Sequence, residues 1–156
     1  NNTIDTIKNS DEVTAEKPEP VAPVEKEEEI KTVERAPEVK SDYLKTGNKG
    51  IGPIRSFEEK PLDQALANRG NQIFLTSCAI CHDMDQEKLG PALAKVTKRR
   101  TPEWILNMIL NPMEMIEKDP DAIALKDSYA AMMLDMGLKE DEARAVLEYL
   151  RKEDTK

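Results

Sequence analysis

Aromatic residues are scarce in this chain. Its 156 residues include one Trp, three Tyr and two Phe, and a single His. Large rings supply much of the burial in most small cores, so any domain here must find apolar bulk from another source. Cysteine is limited to two, and four Cys/His ligands for a structural zinc ion cannot be assembled from two Cys and one His. No apolar run is long enough to span a membrane. Basic charge is in deficit: 23 Lys and Arg stand against 31 Asp and Glu, a net charge of −8. Residues 1–60 carry 14 acidic and 10 basic groups and residues 61–156 carry 17 and 13, so each part is −4. Nucleic-acid binding wants a basic stripe, and neither part has one. Convincing strand alternation is also missing.

The first part of the chain lacks the means to fold. Residues 1–60 hold five of the ten prolines and charged runs such as Glu25-Lys26-Glu27-Glu28-Glu29. Their apolar residues are isolated and keep no sustained period, so burial cannot offset the entropy of ordering. Residues 1–46 are therefore expected to form a disordered, Pro/Glu/Lys-rich tether, kept extended by Lys17-Pro18-Glu19-Pro20. Residues 47–60 differ, with Ile51, Ile54 and Phe57 at a spacing of three among Gly47, Gly50, Gly52 and Pro53. They are expected to lie against the domain as an extended strap. Residues 61–156 read as one small domain, whose size allows only a modest core of its own.

What the chain does have is concentrated in five residues. Both cysteines and the only histidine fall within Cys78-Ala79-Ile80-Cys81-His82. C-x-x-C-H is the covalent attachment pattern of a c-type haem: two thiols add to the vinyl groups, and the adjacent imidazole binds the iron. A zinc site fails on ligand number. A thioredoxin-like dithiol should open a helix after a buried strand, and nothing before Cys78 reads as such a strand. One haem c, held by Cys78, Cys81 and His82, also answers the shortage of aromatic bulk, because the macrocycle becomes the centre of the core. Haem attachment of this type takes place outside the cytoplasm in bacteria. An exported protein with its signal removed is thus expected, in the periplasm or on the outer face of the cytoplasmic membrane. A lipidated cysteine just before Asn1 would give the tether its anchor.

Helical patterning accounts for the rest. Pro61 opens a helix from Leu62 to about Thr76, in which Gly70 would let the last helix approach closely. That last helix runs from about Glu140 to Lys152. Acidic residues fill its first turn, but Lys139 offers no capping oxygen. Thr101-Pro102-Glu103 starts a helix to about Leu110, and Asp119-Pro120-Asp121 starts another to about Ala130. Pro112 is read as the stop of the former. The fold class is all-α, four helices wrapped on one covalently bound haem.

Gly70-x-x-x-Phe74, the Cys78–His82 motif, Gly90-Pro91-Ala92-Leu93, a methionine ahead of the last helix and Tyr149-Leu150 within it resemble the small single-haem cytochromes c of class I. The likeness covers residues 62–152. The run from Thr97 to Pro112 is similar to a bacterial subgroup, some of whose members resemble lipoprotein cytochromes associated with nitrous-oxide respiration. The resemblance implies electron transfer rather than catalysis. Its partners would be a quinol-oxidising complex and a terminal reductase or oxidase, served by a mobile carrier or by a fixed subunit of such a complex. A five-coordinate haem sensor or enzyme is the remaining class.

With one histidine, the second axial position falls to Met, Lys or water. Met84 is on the proximal side, Met108 reads as helix packing, and Met113 and Met115 are expected under a loop, which leaves Met132, Met133 and Met136. In class I relatives the ligand commonly precedes the leading apolar residue of the last helix by five positions. With Leu138 in that place the resemblance implies Met133, with Met132 next. Leu134 stands where many relatives have Pro. The resemblance further implies that the Pro91 carbonyl accepts from the His82 ring and that Trp104 donates to a haem propionate. Lys95, Lys98, Arg99 and Arg100 form a basic cluster suited to propionates or to steering an acidic partner.

Overall fold

The computed structural model describes residues 47–156, and the reading of residues 1–46 as a tether lies outside them. Among the described residues there are helices and no strands. They are α1 (Gln64–Ile73), α2 (Val96–Arg99), α3 (Pro102–Leu110), α4 (Pro112–Lys118), α5 (Pro120–Ser128) and α6 (Glu140–Glu153). A π-helical turn, Phe74–Cys78, continues α1 without a break. The all-α class agrees with the sequence reading, with two helices more than the four expected.

Local chemistry explains each start. The Asp63 carboxylate accepts from the Ala65 and Leu66 N–H groups, both at 2.9 Å. The cap therefore lies one residue after Leu62, and α1 begins at Gln64. Thr101 accepts from the Trp104 N–H at 3.2 Å and Pro102 occupies the first turn of α3, as the Thr-Pro pattern predicts. Asp119 does the same for α5, accepting from Asp121 and Ala122. Lys139 caps nothing with its side chain. Instead Glu142 reaches back to the Lys139 N–H at 2.8 Å.

Pro112 corrects the sequence reading. It ends α3 and also begins α4, because a proline lacks only the N–H that a first turn leaves unused anyway. Asn111, at φ −143°, makes the break between them. Met115 consequently sits on a helix, fully buried, rather than under a loop.

The core forms where α1 crosses α6. Gly70 faces α6 so closely that a Cβ there would land on the Ala145 carbonyl. Beside this crossing the Phe74 and Tyr149 rings pack at 5.2 Å between centroids. Leu106, Met115 and Leu147 are wholly or almost wholly buried. The Asp63 N–H donates to Glu148 on α6 at 2.6 Å, tying the start of α1 to the same partner.

Residues 47–60 run over α3 and α4. Asn107, with no exposed surface, holds them: its Oδ1 accepts from the Ile54 N–H, and its Nδ2 donates to the Lys49 and Ile54 carbonyls, all at 2.9 Å. Thr101 Oγ1 donates to the Asn48 carbonyl, and the Asn48 amide donates to Asp119 and Asp121. Ile54 is buried in the core. Asn107→Leu removes three bonds and leaves buried backbone groups unpaired, at a cost of about 3 kcal/mol. Chemical denaturation should show a clearly lower midpoint, and an unchanged midpoint would mean that this clamp contributes nothing to stability.

Candidate haem site

The attachment motif sits where α1 ends. In the π turn the Ala79 N–H reaches Phe74 O at 2.9 Å, one residue further than an α-helix would allow. The chain then curls around one acceptor: the Cys81 and His82 N–H groups both donate to Cys78 O, at 3.0 and 2.9 Å. Cys78 and Cys81 are both half-buried. Burial, helped by the neighbouring Cys81, pushes the Cys78 thiol up to about 11. Among the described residues no strand precedes the helix that leads into this turn, so the thioredoxin alternative lacks the strand it needs.

His82 is held from below. Its Nδ1 lies 2.9 Å from Pro91 O. A carbonyl only accepts, so Nδ1 carries the proton and Nε2 keeps the lone pair that a metal would use. Gly90 is part of the same cradle. A Cβ at that position would come within 2.6 Å of His82 Cε1, so only glycine lets the backbone pass the ring. The Gly90 N–H donates to Cys81 O at 2.9 Å. Beyond His82 the loop is closed by Leu93 N–H to Asp83 O at 2.9 Å and Ala94 N–H to Met84 O at 2.7 Å. Two thiols on one turn, an oriented imidazole and a glycine cradle fit a covalently bound haem c.

The methionines separate by surroundings. Met115 is spent in the core, its sulfur 3.0 Å from the Ile51 N–H. Met84 and Met108 pack partly buried against the core. Between α5 and α6 the chain is not helical, and there Met132 is 52% exposed and Met136 48%, whereas Met133 packs against the core. Exposed Met132 and Leu134 thus flank a partly buried Met133.

Trp104 departs from expectation. It is 4% exposed, and its indole N–H donates to Asp119 Oδ1 at 3.1 Å. The donor foreseen for a propionate is thus committed within the core. The basic cluster is also reduced. Arg100 is buried, stacked over Trp104 at 4.3 Å and paired with Asp121 at 2.9 Å, while Lys95, Lys98 and Arg99 remain exposed. Sequence reasoning missed Asp154. Its carboxylate accepts from the Lys95 and Thr97 N–H groups and the Thr97 hydroxyl, at 2.6 to 2.9 Å, and so caps α2 from the far end of the chain. No local signal marks a cap 57 residues from its helix.

A helical domain with an oriented imidazole beside a paired-thiol turn defines a c-type haem protein. The cytochrome c family profile matches residues 67–153, and the chain belongs to that family. It carries covalently bound haem c. A "Cytochrome c-553-like" protein of Synechocystis sp. is 33% identical over 63 residues, 37% of this chain and 60% of that protein. The chain therefore spans less than two thirds of that relative. The structure of a cytochrome c from Rhodothermus marinus is 46% identical, covers 67% of this chain and 90% of its own, and superposes with a TM-score of 0.65. An engineered form of the Rhodothermus protein, 42% identical with a TM-score of 0.63, was solved bound to a carbene intermediate. Among the described residues no helix is long and apolar enough to cross a membrane.

Proposed function

We propose that this chain is a single-haem electron carrier of the cell envelope, with His82 and Met133 as the axial ligands. The observation that carries the reading is the partly buried, core-packed side chain of Met133 between exposed Met132 and Leu134. When bound, the haem supplies one-electron exchange at iron. The chain's own residues do the rest. Cys78 and Cys81 hold the macrocycle, Pro91 fixes the proton on Nδ1 of His82, and a thioether opposite would favour the ferrous state and close the iron to substrates.

The same reading extends to location and partners. The carrier works in the periplasm or on the outer face of the cytoplasmic membrane, between a quinol-oxidising complex and a terminal reductase or oxidase. Residues 1–46 act as its tether, fixed through an N-terminal lipid, and residues 47–60 belong with the domain.

The oxidised holoprotein should show the near-infrared sulfur-to-iron band, and the reduced protein should bind carbon monoxide slowly. Fast binding without the band would replace the carrier with a five-coordinate sensor or enzyme.

A further inference from the structure

We propose that Tyr129 and Glu87 form a latch that holds the methionine segment closed over the site. The proposal rests on the His82/Met133 ligand assignment and adds positioning residues to it. Tyr129 is the residue on which α5 ends and from which the non-helical stretch toward Met133 departs. Its hydroxyl lies 3.0 Å from Glu87 Oε1. Glu87 belongs to the other side of the site, in the loop that leaves His82 and is closed by the pairs Asp83–Leu93 and Met84–Ala94. A single hydrogen bond therefore joins the proximal loop to the segment that carries the distal methionine.

The chemistry favours a firm bond. A carboxylate only accepts, so the phenol donates, and a bond to a charged acceptor is stronger than a neutral one. Burial of Tyr129, followed by the neighbouring Glu87, holds the phenol pKa above its ordinary value and keeps the donor proton in place. The Glu87 side has its own anchor. Lys88 donates to Ala79 O inside the attachment turn at 3.0 Å and pairs with Asp83 at 3.5 Å. The methionine segment, by contrast, has few other hydrogen bonds. Its other hydrogen bonds among the described residues are local, Tyr129 N–H to Lys126 O and Gly137 N–H to Asp135 Oδ1. Residues 130–137 have no helix to restrain them, and Met132, Leu134 and Met136 are exposed. Releasing the latch lets this segment swing outward. The quantity it controls is how often the iron's distal position opens to an incoming ligand.

Imidazole binding to the oxidised holoprotein reads this opening directly, because imidazole enters only when the methionine leaves. Tyr129→Phe keeps the ring and removes the hydroxyl, and Glu87→Ala removes the acceptor from an exposed position. Each should speed imidazole binding roughly tenfold, with the near-infrared band intact at rest and the thermal midpoint nearly unchanged. The double variant should be no faster than either single one, since both remove the same bond. A wild-type protein with the band, whose Tyr129→Phe variant binds imidazole at the parental rate, would overturn the latch and leave the ligand assignment standing. A wild-type protein without the band would overturn the assignment, and the latch with it.

Discussion

Replacing Met133 with alanine should abolish the near-infrared band of the oxidised protein while the haem stays attached. The attachment depends on Cys78 and Cys81, and the proximal cradle on Gly90 and Pro91. The reduction potential should fall by on the order of 0.1 V or more, within the roughly 0.8 V range that axial ligation spans across haem proteins. Loss of the thioether withdraws its preference for ferrous iron, and water entering the opened position favours the ferric charge. Carbon monoxide should then bind the reduced variant rapidly. Met132→Ala is the control. Met132 projects outward, 52% exposed, and its removal should change neither band nor potential. A band that survives in Met133→Ala but vanishes in Met132→Ala would reverse the assignment.

Legibility in the sequence followed the distance over which each feature is determined. The haem motif is contiguous, so its spacing carries its chemistry. The starts of α3 and α5 are set by a cap and a proline in adjacent positions, and both lie where Thr101-Pro102 and Asp119-Pro120 put them. The close approach at Gly70 was also readable, because glycine on an apolar helix face has few other uses. The same proline rule failed at Pro112, since proline is compatible with a helix start as well as an end, and the choice depended on whether Met115 found a core to enter. Features set by remote partners left no local trace. Asn107 looks like an ordinary polar residue on α3, yet its side chain makes three hydrogen bonds, because its partners come from residues 49 and 54. Trp104 invited a role toward the haem by analogy. Its donor is engaged by Asp119, which in sequence serves only as the cap of α5. Tyr129 was invisible for a similar reason: its partner Glu87 stands 42 residues away, in a loop with no period of its own.

Gly70→Ala should lower the thermal midpoint of the holoprotein by about 10–15 °C, corresponding to roughly 3 kcal/mol. Two effects oppose each other here. Alanine is the better helix former, and in an exposed helix the change would stabilise by about 0.5–1 kcal/mol. At the crossing of α1 and α6, however, the new methyl meets the Ala145 carbonyl, with Tyr149 Cβ only 3.0 Å away. A carbonyl within a helix cannot rotate aside, so one whole helix must retreat. Retreat loosens the Phe74–Tyr149 ring pair and the Asp63–Glu148 hydrogen bond, which depend on the same spacing. The steric cost therefore exceeds the propensity gain by several fold. Because α1 leads straight into the attachment turn, the displacement also reaches Cys78, and the haem's absorption bands should broaden even though both thioethers persist. Thermal unfolding followed at the haem and by far-ultraviolet circular dichroism would test both statements together. A midpoint equal to or above that of the parent would mean that α1 and α6 do not meet at Gly70, and the core described here would have to be redrawn around a different helix pair.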